Sequence, residues 1–423
     1  MKIAVVNTSD TIGGAAVACK RLVNALKESG TDVKMVVQEK KSTEPNVVSL
    51  NENFLKNQLA FFRFALEYFY FLKFENAAKI NSTFSPARLG QDISNNKIIL
   101  EADLINLHWI NNSFLSLRNI KNIFSLNKPV IWFLHDMWAF TGGCHYSGNC
   151  NNFMNKCGNC YFLKKTSEND LSRKIWEHKN TIYKDASLTI VCPSMWLSNL
   201  AMQSSLLKYF NVYTIPNPID TTIFKPIDKD EAKRKLGLET GKKYLLFAAM
   251  NTKHKRKGFD YLKESVLLFK KENTHVENVE LLIVGKFDEQ QKSEFDFKVN
   301  SLGVINGENK MVDVYNASDV YLIPSLEDNL PNTVMEAMAC GTPVVGFNTG
   351  GIPEMVDHLQ NGYIAEYGSS QDFTKGISWV LSHNNFNALC LNARKKVLNN
   401  YTFQIIAKQH IELYNKLLSI KAS

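Results

Sequence analysis

The sequence predicts an α/β protein of two consecutive domains, each built on a parallel sheet. Three observations predict it. The chain has 423 residues, more than one hydrophobic core usually serves. Short apolar runs alternate with amphipathic helical stretches, the pattern of βαβ units. The alternation starts afresh after the turn Pro216-Asn217-Pro218-Ile219-Asp220.

The elements follow in order. Lys2–Asn7 reads as a buried first strand. Thr8–Gly14 is a loop ending in the pair Gly13-Gly14. Ala15–Ser29 has helical periodicity and stops at Gly30, and Val33–Val37 is the next strand. Leu104–Leu107, Val130–Leu134, Leu188–Cys192 and Val212–Ile215 continue the series. The second series comprises the strands Tyr244–Ala249, Glu280–Val284, Val320–Ile323 and Pro343–Phe347, with helices at Phe259–Lys270 and Thr333–Cys340. Phe403–Ile420 is a long amphipathic helix. The domain boundaries are therefore 1–218, 219–402 and a terminal helix at 403–423.

Composition is that of a globular protein, 45% hydrophobic and 21% charged, which excludes a disordered chain. The net charge of +8 suits an anionic ligand such as a phosphate, an anionic membrane surface, or simply a solvated basic exterior. No nucleic-acid-binding signature accompanies it. The opening MKIAVVNTSD is too short in its apolar run for a signal peptide, and no stretch is long enough to span a bilayer. These features predict a cytoplasmic protein with reduced cysteines. Leu59–Phe74, LAFFRFALEYFYFLKF, is dense in aromatics but broken by Arg63, Glu67 and Lys73. We expect a helix buried in a cleft or core, with a helix lying on lipid as the alternative.

Ligands in doubly wound sheets bind at the carboxyl ends of the strands, and each candidate residue follows a predicted strand. Lys253–Gly258, KHKRKG, places five basic or histidine residues after one strand. There Arg256 offers a fork and Lys257 a point charge to phosphate. Gly350-Gly351 follows another strand, where glycine lets backbone amides approach a ligand. Gly13-Gly14 lacks the three-glycine dinucleotide fingerprint. His135 and Asp136 end the strand VIWFL, and His108 ends another. Asp136 is expected to orient His135. Thr333-Val-Met-Glu336 matches a capping box, which gives Glu336 a structural role; Asp328 has no such explanation.

The loop between Gly142 and Cys160 holds Cys144, Cys150, Cys157 and Cys160 in a polar, Gly- and Asn-rich stretch. Structural zinc suits four reduced thiols better than disulfides do, with unligated thiols as the alternative and His145 as a substitute ligand. The remaining cysteines, Cys19, Cys192, Cys340 and Cys390, read as small buried residues.

Asp328 and Glu336 lie in PSLEDNLPNTVMEAMACGTPVVGF, which has seven residues between the two acids, then an Ala-rich turn, Cys-Gly-Thr-Pro and two valines. This stretch resembles the signature of the family 4 retaining glycosyltransferases. Most members carry Glu at the first acid, where this chain has Asp328 preceded by Glu327. The resemblance extends through Gly13-Gly14, His135-Asp136, Pro193-Ser194-Met195-Trp196, Pro216–Asp220, Arg256-Lys257-Gly258, Gly350–Glu354 and Asn361-Gly362-Tyr363.

The resemblance implies the GT-B fold: two Rossmann-like domains facing a cleft, with the last helix crossing back to the first domain. It implies transfer of a sugar from a UDP- or GDP-sugar, with retention, without a catalytic metal or cofactor, and with no protein nucleophile. Lys257 and Arg256 would stabilise the leaving diphosphate, and His135 and Asp328 would meet the donor sugar. Glu336, Gly13, Gly14, Gly350, Gly351, Asn332, Thr333 and Asn217 would complete the donor site. His108 and Asp136 would contact the acceptor, a glycan or lipid-linked sugar at the inner membrane face, in capsule, exopolysaccharide or lipopolysaccharide synthesis. A sugar-nucleotide 2-epimerase on the same fold and a non-catalytic carbohydrate- or partner-binding protein are the alternatives.

Overall fold

The computed structural model describes residues 1–51, 53–76, 84–273 and 276–422. The chain divides into two compact units, residues 1–218 with 403–423, and residues 219–402.

The first unit carries seven parallel strands: β1 (Lys2–Ser9), β2 (Asp32–Glu39), β3 (Val47–Ser49), β4 (Leu104–Leu107), β5 (Val130–Phe133), β6 (Leu188–Cys192) and β7 (Asn211–Thr214). Their order is β3-β2-β1-β4-β5-β6-β7. Strand β1 is apolar on both faces because both are covered. Ile3 and Val5 pack with α1 (Gly14–Glu28) and with Phe403, Ile406 and Tyr414 of the C-terminal helix, while Ala4 and Val6 enter the opposite cluster. The C-terminal helix Phe403–Ala422 is further tied down by Asn106, whose side-chain amide donates to the Tyr414 hydroxyl at 3.0 Å.

The second unit carries six parallel strands: β8 (Lys243–Asn251), β9 (Val279–Lys286), β10 (Val299–Ser301), β11 (Val320–Ile323), β12 (Val344–Phe347) and β13 (Gly362–Ala365). Their order is β10-β9-β8-β11-β12-β13. Tyr244 and Leu246 face one core and Leu245 and Phe247 the other. The short edge strands β3, β10 and β13 are absent from the sequence reading. Three or four residues carry too little periodicity to stand out.

Each sheet reverses its direction of winding once, between β1 and β4 in the first unit and between β8 and β11 in the second. Crossovers leave in opposite directions there, so a crevice opens beyond the strand ends.

The aromatic stretch forms the helix α2 (Phe54–Leu72), and the expectation of burial is corrected. Ala60, Glu67 and Phe71 are its buried residues, while Phe54, Phe61 and Phe69 are 78%, 67% and 62% exposed. Of the three charges that interrupt the sequence, Glu67 and Arg63 face inward, while Lys73 is exposed just past the helix end. The Glu67 carboxylate accepts from the Arg88 and Leu89 amides at 2.9 and 2.8 Å, and Arg63 donates to Gln91 at 3.1 Å. Hydropathy alone would place the aromatics inside. Two unsatisfied loop amides fixed the carboxylate there instead. No helix among the described residues is long and apolar enough to cross a membrane.

Candidate active site

In the second unit three loops that follow neighbouring strands are locked together by backbone contacts. Lys255–Lys257 forms one turn of 3₁₀ helix and ends at Gly258, whose φ is 70°. A side chain at Gly258 would place its Cβ 1.7 Å from the Pro324 carbonyl oxygen, so only glycine fits. The Leu326 amide donates to the Arg256 carbonyl at 2.8 Å, which joins the loop after β8 to the loop after β11. Gly350, with φ of 57°, presses equally hard on Asp328: an added Cβ would lie 1.6 Å from its carbonyl oxygen. The Gly351 amide donates to Asn329 O at 2.7 Å, and Thr349 Oγ1 to Leu326 O at 3.0 Å. The loop after β12 is thereby joined to the same block.

The side chains converge where the backbones do. Lys257 Nζ stands 2.5 Å from Asp328 Oδ2, and the Arg256 guanidinium lies 3.5 Å from Oδ1 and donates to the Glu327 carbonyl. Ser325 Oγ donates to the same carboxylate at 3.3 Å. Burial pushes the Asp328 carboxyl up, but the Lys257 and Arg256 charges outweigh it and hold it below the usual range. Burial lowers Lys257 from the ordinary lysine value, against the pull of Asp328. The cluster holds two cations and one carboxylate, an excess of positive charge at the switch point of the sheet.

The capping-box reading of Glu336 is corrected. The helix Asn332–Ala339 begins one residue earlier than expected, with Pro331 at its cap and no capping side chain. Glu336 instead accepts from the Tyr315 hydroxyl at 2.8 Å, and Thr333 Oγ1 accepts from Tyr321 at 2.8 Å. Pro331 stands ahead of the helix, so Thr333 lies inside it rather than at its start. Burial raises the Tyr321 phenol, and the Asp328 and Glu336 charges add to the rise. Asn332 is the first residue of this helix.

In the first unit the candidate residues flank the other switch point. Gly13, with φ of 86°, precedes α1, and Gly14 is its first residue. His108 Nδ1 and His135 Nε2, after β4 and β5, stand 3.0 Å apart, and each ring packs on Phe133. Burial lowers His135 to about 4 and His108 well below the ordinary value, so both are neutral at pH 7. Asp136 serves mainly other partners than expected. Its carboxylate accepts from His145 Nδ1 at 2.6 Å, Trp109 Nε1 at 3.0 Å and the Trp138 amide at 2.9 Å. His145 Nε2 bonds Ser85 Oγ at 2.9 Å, so both ring nitrogens are engaged and its reading as a metal ligand is corrected. Asn217 is buried just before the second unit begins.

Cys144, Cys150, Cys157 and Cys160 are free thiols that line one small cavity. Of the other four cysteines, Cys19, Cys192 and Cys340 are buried and Cys390 is half-buried.

Residues 12–223 match the model of Glycosyltransferase Family 4, and residues 242–383 that of Glycosyl transferases group 1. The chain belongs to glycosyltransferase family 4. Among the curated relatives of this family-4 chain, an uncharacterized glycosyltransferase of Methanocaldococcus jannaschii is 30% identical over 195 residues, 44% of this chain and 48% of the relative. The UDP-Gal:alpha-D-GlcNAc-diphosphoundecaprenol alpha-1,3-galactosyltransferase of Escherichia coli is 24% identical over 197 residues, 45% of this chain and 50% of the relative. The chain spans about half the length of the curated relatives it matches. The crystal structure of Anabaena HepE with UDP-glucose superposes with a TM-score of 0.67 at 17% identity, covering 98% of this chain and all of that one. The fold is therefore GT-B, two Rossmann-like units with seven- and six-stranded parallel sheets.

Ser325, Tyr315 and Tyr321 join the candidate residues of the second unit, and Trp109 and His145 those of the first, by hydrogen bonds that the sequence reading missed. The partners of Tyr315 and Trp109 lie 21 and 27 residues away, so nothing local marks them. Ser325 was legible in principle, three residues before Asp328 in the same loop.

Proposed function

We propose that this protein transfers a sugar from a nucleotide-sugar donor to a lipid-linked glycan acceptor, with retention of anomeric configuration and without a catalytic metal. One observation carries the reading: Arg256, Lys257 and Asp328 meet the Gly350-Gly351 loop at the switch point of the second sheet. Two cations there would take over the charge of the departing diphosphate, the work that a metal does elsewhere. Lys257 is held by Asp328. A diphosphate would draw the ammonium away and leave the Asp328 carboxylate to accept from sugar hydroxyls. Glu336 would do the same for the ribose. UDP is the favoured nucleotide because HepE, which shares the fold, binds UDP-glucose.

The acceptor reading rests on the Escherichia coli relative, named for a diphosphoundecaprenol substrate, and on the exposed aromatic face of α2, which would seat the chain at the membrane holding such a carrier. Surface polysaccharide assembly is the corresponding role. The test is incubation of the purified protein with UDP- and GDP-sugars and a lipid-linked acceptor, with chelator present. Mass spectrometry follows the product and NMR its anomeric configuration. Retained configuration at undiminished rate is expected. Product formed from donor alone would instead support the epimerase, and an inverted product would refute the retaining mechanism.

A further inference from the structure

We propose that Cys144, Cys150, Cys157 and Cys160 bind one zinc ion as a structural centre of the first unit, apart from the proposed transfer chemistry. The four residues span one loop yet line a single cavity of about 20 Å³, room for a guest of atomic size and little more. Among the described residues no three Cys, His, Asp or Glu side chains are already drawn tightly enough to hold a metal. The two other candidate donors nearby are committed: His145 to Asp136 and Ser85, and Asp170 to the Ser172 and Cys160 amides. The thiols are what remains.

Two further features suit thiolates on a metal. Backbone amides already point at the sulfurs. Gly142 N–H donates to Cys157 Sγ at 3.1 Å, and the Phe162 amide bonds Cys160. Such bonds stabilise anionic sulfur more than neutral thiol. The loop is shaped for them, since a Cβ at Gly142 would lie 2.4 Å from Ser172 O and 2.8 Å from Cys157 Cβ, and Gly158 has φ of 147°. The second feature is Lys179. It is fully buried, its ammonium lies 3.6 Å from the centre of the Trp138 ring, and it donates to the Trp138 and Thr141 carbonyls. Among the described residues no carboxylate stands within ion-pair distance of it. Burial lowers Lys179 to about 7, and the acidic groups that act against this are, in order, Cys157, Cys144 and Asp136. Four neutral thiols add no charge of their own to that of Asp136. Zinc on four thiolates carries a net charge of about −2 and supplies counter-charge, and the thiol protons leave to solvent as the metal enters.

The centre would fasten the loop to the sheet. Thr141 and Trp138 hold Lys179, Gly142 holds Cys157, and His145 from the same loop holds Asp136. The test is metal analysis of the full chain purified without chelator. About one zinc per chain is expected, released by a mercurial and lost in Cys157→Ser and Cys160→Ser. Should those variants fail to fold, cobalt exchanged into the wild-type chain decides. A tetrathiolate centre gives an intense visible ligand-field band with thiolate charge transfer. Less than about a tenth of a zinc per chain, with no cobalt band and all four thiols open to alkylation, would overturn the proposal. So would disulfides among the four in protein kept under reducing conditions.

Discussion

The two units build their candidate sites from opposite materials. In the second unit the groups are charged and paired: Lys257 and Arg256 share the Asp328 carboxylate. In the first the groups after β4 and β5 are neutral rings, His108 bonded to His135 and both packed on Phe133. The same backbone device, a switch point beside strand ends, thus carries two kinds of chemistry. Fixed charges suit a ligand that brings its own charge. Neutral imidazoles suit a place where a proton or a hydroxyl must be held without repelling or attracting an anion.

That contrast breaks most sharply at Lys257. Lys257→Ala should lower transfer about 10²–10³-fold while the melting transition persists, because in the proposed reaction the lost charge would act where negative charge grows. Near-normal turnover would remove the second unit's claim to the leaving group. His135→Ala tests the other side. A fall of about 10²-fold in kcat with little change in nucleotide affinity would separate ring from charge, and a loss of nucleotide affinity would blur the comparison.

Membrane attachment is the next effect in size. Serine at Phe61, Phe62 and Phe69 together should weaken binding to anionic vesicles at least about tenfold in a flotation assay. Transfer to a water-soluble acceptor should not change. Equal flotation of variant and wild type would deny α2 that role.

Acid should distinguish the sites by stability. Histidine titrates near ~6.5 in the unfolded chain. Burial holds His135 at about 4 and His410 at about 3 in the folded one. Between those values the unfolded chain binds more protons, so stability is full above pH ~6.5 and declines as the pH falls toward about 4. His410 contributes most simply, since neither ring nitrogen has a hydrogen-bond partner among the described residues. His410→Leu should therefore stabilise by about 1 kcal/mol at pH 7 and flatten the acid decline in thermal melts. A steeper decline would reverse the sign of the argument. The smallest effect is at Tyr315. Tyr315→Phe removes the hydrogen bond to Glu336 and should raise the donor KM about three- to tenfold, roughly 1 kcal/mol, at unchanged kcat.

Much of the C-terminal site was legible because its parts are local to strand ends. A basic run, an acid and a glycine pair each follow an apolar strand, and parallel-sheet topology brings such positions to one edge. Gly258 and Gly350 were visible as glycines, but the carbonyls they make room for lie in another loop. Glu336 fitted a local capping pattern that the structure replaced with a bond to a tyrosine 21 residues away. The α2 stretch misled for the same reason. Its density of aromatics signalled burial, while the partners that turned Glu67 and Arg63 inward sit on other segments.

By itself the sequence determined the alternation of strand and helix, the break between units and the presence of phosphate-suited and acidic groups at strand ends. Those follow from periodicity and residue chemistry along the chain. Only the tertiary structure decided which carboxylate meets which cation, which face of α2 turns outward and which rings share a proton. Each of these depends on atoms far apart in sequence competing for the same few hydrogen-bonding groups, and the winner of that competition is set by packing.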